Sequence, residues 1–168
     1  MSAVRSEIAS RSGGAPSLRV MTVGQLDAVL AIEVQAYPFP WTRGNFIDSI
    51  AAGYLARVLI AADGELIGYF VAMPGFEEMH LLNVTVAPRH EGRGHARRLL
   101  AELYALSASF AASALWLEVR ESNARARALY LREGFDEAGR RRDYYPAPQG
   151  RREDAVLMTR LLASGDGA

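Results

Sequence analysis

A chain of 168 residues, half of them hydrophobic, is long enough to bury one sizeable core and short enough to form a single domain. Its nineteen basic side chains balance nineteen acidic ones, so no overall field argues for nucleic acid or an anionic membrane as partner. The absence of cysteine excludes a disulfide framework, thiolate metal ligands and a cysteine nucleophile, and it suits a reducing compartment. His80, His90 and His95 show no metal-ligand spacing with neighbouring carboxylates, so no metal site is expected. No stretch is both long and charge-free enough to cross a bilayer, and the first residues lack a continuous apolar core, so a cytoplasmic protein without a membrane partner is expected.

Residues 1–17 are rich in Ser, Gly and Ala with little to bury, and a disordered tail is predicted there. One domain is predicted over residues 18–162, followed by a short flexible tail at 163–168. "LRVMTV" alternates like a strand, and "GQLDAVLAIEVQAY" places Leu26, Val29, Leu30, Ile32 and Val34 at roughly helical spacing. The prolines of "YPFPW" halt that helix, after which Thr42 can cap a short one running to Gly53. "YLARVLIA", the turn "ADGE" and "LIGYFVAMP" form a hairpin, and "EEMHLLNVTV" adds a further strand. Next come the long helix "ARRLLAELYALSASFAA", the strand "ALWLEVR", the helix "NARARALYLRE" and the closing strand "AVLMTRLL". The order β, α, α, three β, α, β, α, β predicts a mixed α/β sheet, antiparallel first and partly parallel later, flanked by helices. Arg140 to Arg142, with Arg151 and Arg152, form a basic turn that reads as a solvated surface, so no direct nucleic-acid contact is expected.

Two stretches carry candidate chemistry. In "VTVAPRHEGRGHARRLL", Pro88 ends a strand, and Gly92 and Gly94 let the backbone turn with its N–H groups exposed just where a helix begins. A helix N-terminus has unpaired donors and the positive end of the macrodipole, so this corner suits a phosphate. Such a corner needs glycine with or without a ligand, and Arg93, Arg97 and Arg98 favour a ligand only modestly. In "ALWLEVRESNARARALYLREGF", Ala114, Trp116, Glu118 and Arg120 share one strand face, opposite Leu115, Leu117 and Val119. Glu118 is therefore a carboxylate in an otherwise apolar strand, either a base or the partner of Arg120. Asn123, or Ser122 before it, can cap the following helix, and Tyr130 lies two turns along the same face. Taken alone, Tyr130 reads as a core aromatic.

In order along the chain, these motifs resemble the GCN5-related N-acetyltransferases, whose acetyl-CoA motif is a bulged strand, a proline, then Q/R-x-x-G-x-G/A opening a helix. Two registers compete: Arg89, Gly92 and Gly94 fit the letters, whereas counting from Pro88 favours Glu91, Gly94 and Ala96, with Glu91 at the usual Gln or Arg position. The second leaves the usual distance to "RRLL" and is adopted. "FPW", "LLNVTV", "LWLEVR.SN..A..LY...GF" and "RR.YYP....REDA" narrow the resemblance to the RimI-type ribosomal-protein-alanine N-acetyltransferases, over nearly all of residues 18–162.

The resemblance implies the acyl-CoA N-acyltransferase fold and acetyl transfer to a protein N-terminus. Glu118 would be the general base and Tyr130 the general acid. Val84, Thr85 and Val86 would pair with the pantetheine arm, Gly92, Arg93, Gly94, His95, Ala96 and Arg97 would hold the pyrophosphate, and Asn123 would be a further cofactor contact. Trp41, Tyr144 and Tyr145 would lie near the acceptor peptide. Acetyl-CoA and the N-terminal peptide of a ribosomal protein are the expected partners, and a monomer is the expected state. Direct attack on a thioester requires a neutral amine, oxyanion stabilisation, here expected from an N–H near Val86, and a proton for the departing thiolate. An α-amine titrates at about 7.7 to 8.0 and a lysine amine near 10.4, so deprotonating lysine costs about 3.4 kcal/mol more. Because an ordinary glutamate titrates at about 4.3, desolvation or an intervening water is expected to assist the base. An acetyltransferase for another terminus, a lysine or a small amine, and a non-catalytic acyl-CoA binding module, are the alternatives.

Overall fold

The computed structural model describes residues 13–163. Seven strands, β1 (Ser17–Val20), β2 (Leu55–Ile60), β3 (Leu66–Pro74), β4 (Glu78–Val86), β5 (Ala114–Arg120), β6 (Asp136–Pro146) and β7 (Arg152–Leu161), form one sheet in the order β1-β2-β3-β4-β5-β7-β6. Every neighbouring pair is antiparallel except β4 and β5, which run parallel. Four α-helices, α1 (Leu26–Ala36), α2 (Arg43–Ala51), α3 (His95–Ser109) and α4 (Ala124–Arg132), complete the mixed α/β architecture.

Helices cover both faces of the sheet. Leu26, Val29 and Ile32 of α1 and Phe46 of α2 pack with Val58, Tyr69 and Val71 on one face, while Leu99, Leu100 and Leu103 of α3 and Tyr130 of α4 pack with Phe70, Leu115 and Leu117 on the other. A strand covered twice has no solvated side, so β3 is buried from Leu66 through Ala72 and shows no polar alternation. Strand β5 buries only Leu115, Leu117 and Val119 and leaves Trp116, Glu118 and Arg120 partly accessible, the alternation expected of a pleated strand at a cavity edge.

Three features differ from the sequence-based expectation. Residues 1–12 and 164–168 lie outside the described part, but the boundary at residue 18 shifts, because Ser17 already belongs to β1 and pairs with Ile60. The basic turn around Arg140 is strand β6. All of its residues except Tyr145 are exposed, so it has no buried face and no apolar period to reveal it. Finally, β4 bulges at Leu82, since Val71 faces Asn83 while Ala72 faces Leu81, rather than near Val86.

That bulge positions the site. Strands β4 and β5 pair only from Glu78↔Ala114 to Leu81↔Leu117, whereas β5 stays paired with β7 as far as Arg120↔Ala155. Beyond Leu81 the two parallel strands part, and the space between them opens toward the start of α3 and α4.

Candidate active site

The corner after β4 is built by its glycines. The chain leaves Val86, makes a single 3-10 turn over Pro88–His90, and passes through Gly92 at φ 74° and Gly94 at φ 81°. A Cβ built at either glycine would meet no atom within 4 Å, so left-handed backbone, rather than crowding, calls for glycine there. Gly94 is the N-cap of α3, and Arg98 makes the first bond of the helix, to the Gly94 carbonyl. Among the described residues the N–H groups from Gly92 to Arg97 bond no other group. They border a cavity of about 380 Å³ walled by Thr85 and Val86 on one side and by the first turns of α4 on the other.

Of the residues assigned to the cofactor, Val84, Thr85, Val86, Gly92, Gly94, His95, Ala96, Arg97 and Asn123 line this cavity, and Arg93 does not. Asn123 caps α4, its Oδ1 accepting from Ala126 N at 3.1 Å. Burial, then His90 and Arg93, lower the pKa of His95, so its ring is neutral near pH 7. Arg97 bonds Glu133 at 2.9 Å, and Glu91 reaches across the cavity to Arg125 on α4 at 2.5 Å. The residue that departs from the family pattern therefore has a partner of its own.

A second cavity, of about 310 Å³, opens on the other side of the parted strands and is lined by Trp41, Glu118, Arg120 and Tyr145 among others. Glu118 pairs with Arg141 of β6 at 3.0 Å, not with Arg120 as one reading of the strand had it. Arg120 instead bonds Glu153 at 2.8 Å, and its guanidinium lies 4.5 Å from the Tyr145 ring centroid. Tyr144 lies outside the lining but beside Glu118. Its pKa is raised by burial first and then by its hydrogen bond to Glu118. Burial, then the Glu118 charge, push Tyr145 up to about 12.

Tyr130 lies where the two cavities meet, as one of five residues common to both linings with Tyr37, Val84, Asn123 and Ala126. Its ring packs on Phe135 at 5.5 Å, and burial raises its pKa above that of a free tyrosine. It is thus both a core aromatic and a hydroxyl at the junction. Sequence reading missed Tyr37, Asn83 and Glu33, whose carboxyl is 1% exposed and accepts from Trp41 N at 3.0 Å. The available signal was spacing. Glu33 falls on the face of α1 that buries Leu26 and Val29, where a carboxylate requires partners.

The sequence model of the GNAT acetyltransferase family matches residues 26–135, more than half of the chain. The chain belongs to that family. Curated relatives of this GNAT chain include the [Ribosomal protein bS18]-alanine N-acetyltransferases of Salmonella typhimurium, 37% identical over 84% of this chain and 95% of the relative, and of Escherichia coli K12, 38% identical over 79% and 88%. The crystal structure of the ribosomal-protein-S18-alanine N-acetyltransferase from Escherichia coli superposes with a TM-score of 0.80 at 34% identity, covering 88% of this chain and 94% of the other. Ard1 from Thermoplasma volcanium, at 21% identity and a TM-score of 0.78, shares the fold.

Acetyl-CoA is the family's acetyl donor, and the first cavity has the groups to hold it. The free N–H groups at the start of α3 are the kind of donors a phosphate takes, and Arg97 and Arg125 line the same cavity.

Proposed function

We propose that this chain acetylates the α-amine of an N-terminal alanine on a small-subunit ribosomal protein, the reaction for which its curated relatives are named. One observation carries the reading: Glu118 lines the acceptor cavity and Tyr130 stands at its junction with the cofactor cavity, so base and acid flank the passage between them. Bound acetyl-CoA supplies an activated acyl group.

The chain's own residues do the rest. Asn123 and the amides of the corner after β4 hold the donor, while Trp41 and Tyr145 border the entrance for the peptide. Glu118 receives the amine proton. Arg141 beside it is 57% exposed, so that ion pair is weak enough for an incoming ammonium to compete for the carboxylate. Tyr130 protonates the departing sulfur, and burial keeps its hydroxyl protonated until then. An α-amine suits this arrangement because neutralising it costs about 3.4 kcal/mol less than neutralising lysine. A monomer is the acting unit in this reading, and a ribosomal protein as acceptor implies the cytoplasm.

A thiol-release assay with acetyl-CoA and two peptides tests the proposal, one peptide with a free N-terminal alanine and one with that terminus blocked but a lysine available. Turnover confined to the free terminus is expected. Preference for lysine would reassign the acceptor, and no turnover on either would move weight to a binding module.

A further inference from the structure

Two tyrosine hydroxyls, those of Tyr37 and Tyr130, stand in the wall between the cavities, and they differ in what they bond. Among the described residues the Tyr130 hydroxyl has no hydrogen-bond partner, whereas Tyr37 Oη lies 2.7 Å from Thr85 Oγ1 and 3.2 Å from the Val84 carbonyl. The direction of the Tyr37–Thr85 bond follows from groups deeper in the fold. Three donors converge on the buried Glu33 carboxyl: Trp41 N–H at 3.0 Å, the Asn83 NH2 at 3.3 and 3.4 Å, and the Tyr69 hydroxyl. With its NH2 turned to Glu33, Asn83 presents Oδ1, an acceptor only, to the other side. Thr85 Oγ1 is 2.7 Å from that oxygen and must give its single proton to it.

Thr85 can then only accept from Tyr37, and the Val84 carbonyl is likewise an acceptor. Wherever the Tyr37 proton lies, it is taken up by one of these two acceptors. Tyr37, Thr85, Asn83 and Glu33 thus form a one-way chain of donors ending at a buried carboxyl, and each bond polarises the next. With its proton so committed, Tyr37, which lines both cavities, has only lone pairs left to offer a ligand there.

We propose that Tyr37 orients the acceptor: at the junction of the cavities its oxygen accepts a hydrogen bond from the incoming amine, while the unengaged Tyr130 hydroxyl is left to donate. The proposal rests on the acetyltransferase reading but not on alanine as the acceptor. Glu33 acts through the chain as a positioning residue, since it sets the orientation of Asn83 and thereby the direction of every bond up to Tyr37. A glutamine at position 33 would bring a donor to a place where three donors already converge.

The test compares Tyr37→Phe, Glu33→Gln and the double variant on whichever amine peptide the unaltered chain acetylates fastest, so the inference can be judged even if the alanine assignment fails. Tyr37→Phe should lower kcat/KM for the acceptor roughly tenfold to a hundredfold, the effect of one charge-assisted hydrogen bond. Calorimetric Kd for acetyl-CoA should stay within about twofold, since the lost contact faces the amine and not the donor. Glu33→Gln should give part of that loss, and the double variant should be no worse than Tyr37→Phe alone, because both act on one contact. If Glu33→Gln does not fold, Thr85→Val interrupts the same chain and is compared in the same way. Unchanged acceptor kinetics in Tyr37→Phe, an equal loss in acetyl-CoA affinity, or additive losses in the double variant would each overturn the proposal. Failure of the alanine peptide with the unaltered chain would instead count against the proposed function.

Discussion

At the junction of the two cavities, Tyr130→Phe removes one hydroxyl and almost no volume, so the packing on Phe135 survives. The variant should bind acetyl-CoA as before and lose roughly a hundredfold or more in kcat, the contribution of a positioned proton donor; calorimetry and steady-state kinetics on the same sample check both halves. The pH profile gives an independent reading. Burial raises the Tyr130 pKa, so the donor stays protonated beyond the point at which a free tyrosine ionises, and kcat should show no descending limb below about pH 10. A fall starting near pH 9 would remove Tyr130 from the role. Glu118 stood out in the sequence as a carboxylate in an apolar strand, but Tyr130 read by itself as a core aromatic, and only the family resemblance suggested catalytic roles for either. Tyr37 carried no such signal and Glu33 only its place on the buried face of α1, since their partners other than Trp41 lie 36 to 50 residues away and only the folded sheet brings them together. The proposed Glu118–Arg120 pair failed for a related reason. Strand β6, itself unseen in the sequence, brings Arg141 to Glu118, and Glu153 takes Arg120.

At the level of elements, the corner between β4 and α3 was legible as a tight turn, because two glycines two residues apart before a helix mark left-handed backbone, and both prove left-handed; a ligand there was suggested by the resemblance. Gly94→Val places a β-branched side chain at φ 81°, which costs on the order of 1–2 kcal/mol in backbone strain alone. The expected outcome is a lower melting temperature together with weaker acetyl-CoA binding, because relaxing the strain shifts the corner amides. Lower stability with unchanged affinity would place the pyrophosphate elsewhere. Strand β6 shows the opposite case: eleven residues, almost all exposed, give no period to read, and the strand exists because β7 offers it a ladder.

For the whole molecule, the sheet separates two cores that differ in their distance from the chemistry. Leu103 of α3 is fully buried in the larger one. Leu103→Ala should destabilise the fold by about 2 to 5 kcal/mol, read as a melting temperature lower by roughly 2–4 °C per kcal/mol, with acetyl-CoA affinity retained below the transition. The two outermost strands have a consequence of another kind. An open sheet of seven strands has two free edges, and each invites a neighbouring chain to add a strand. Here one edge is only four residues long, and the other carries Arg140, Arg141 and Arg142 and breaks its ladder between Arg141 and Tyr145 around Asp143 at φ 51°. The same arginine-rich edge that supplies a partner for Glu118 therefore also resists sheet-to-sheet accretion, so replacing those arginines with threonine would open that edge to strand addition as well as remove a contact at the base.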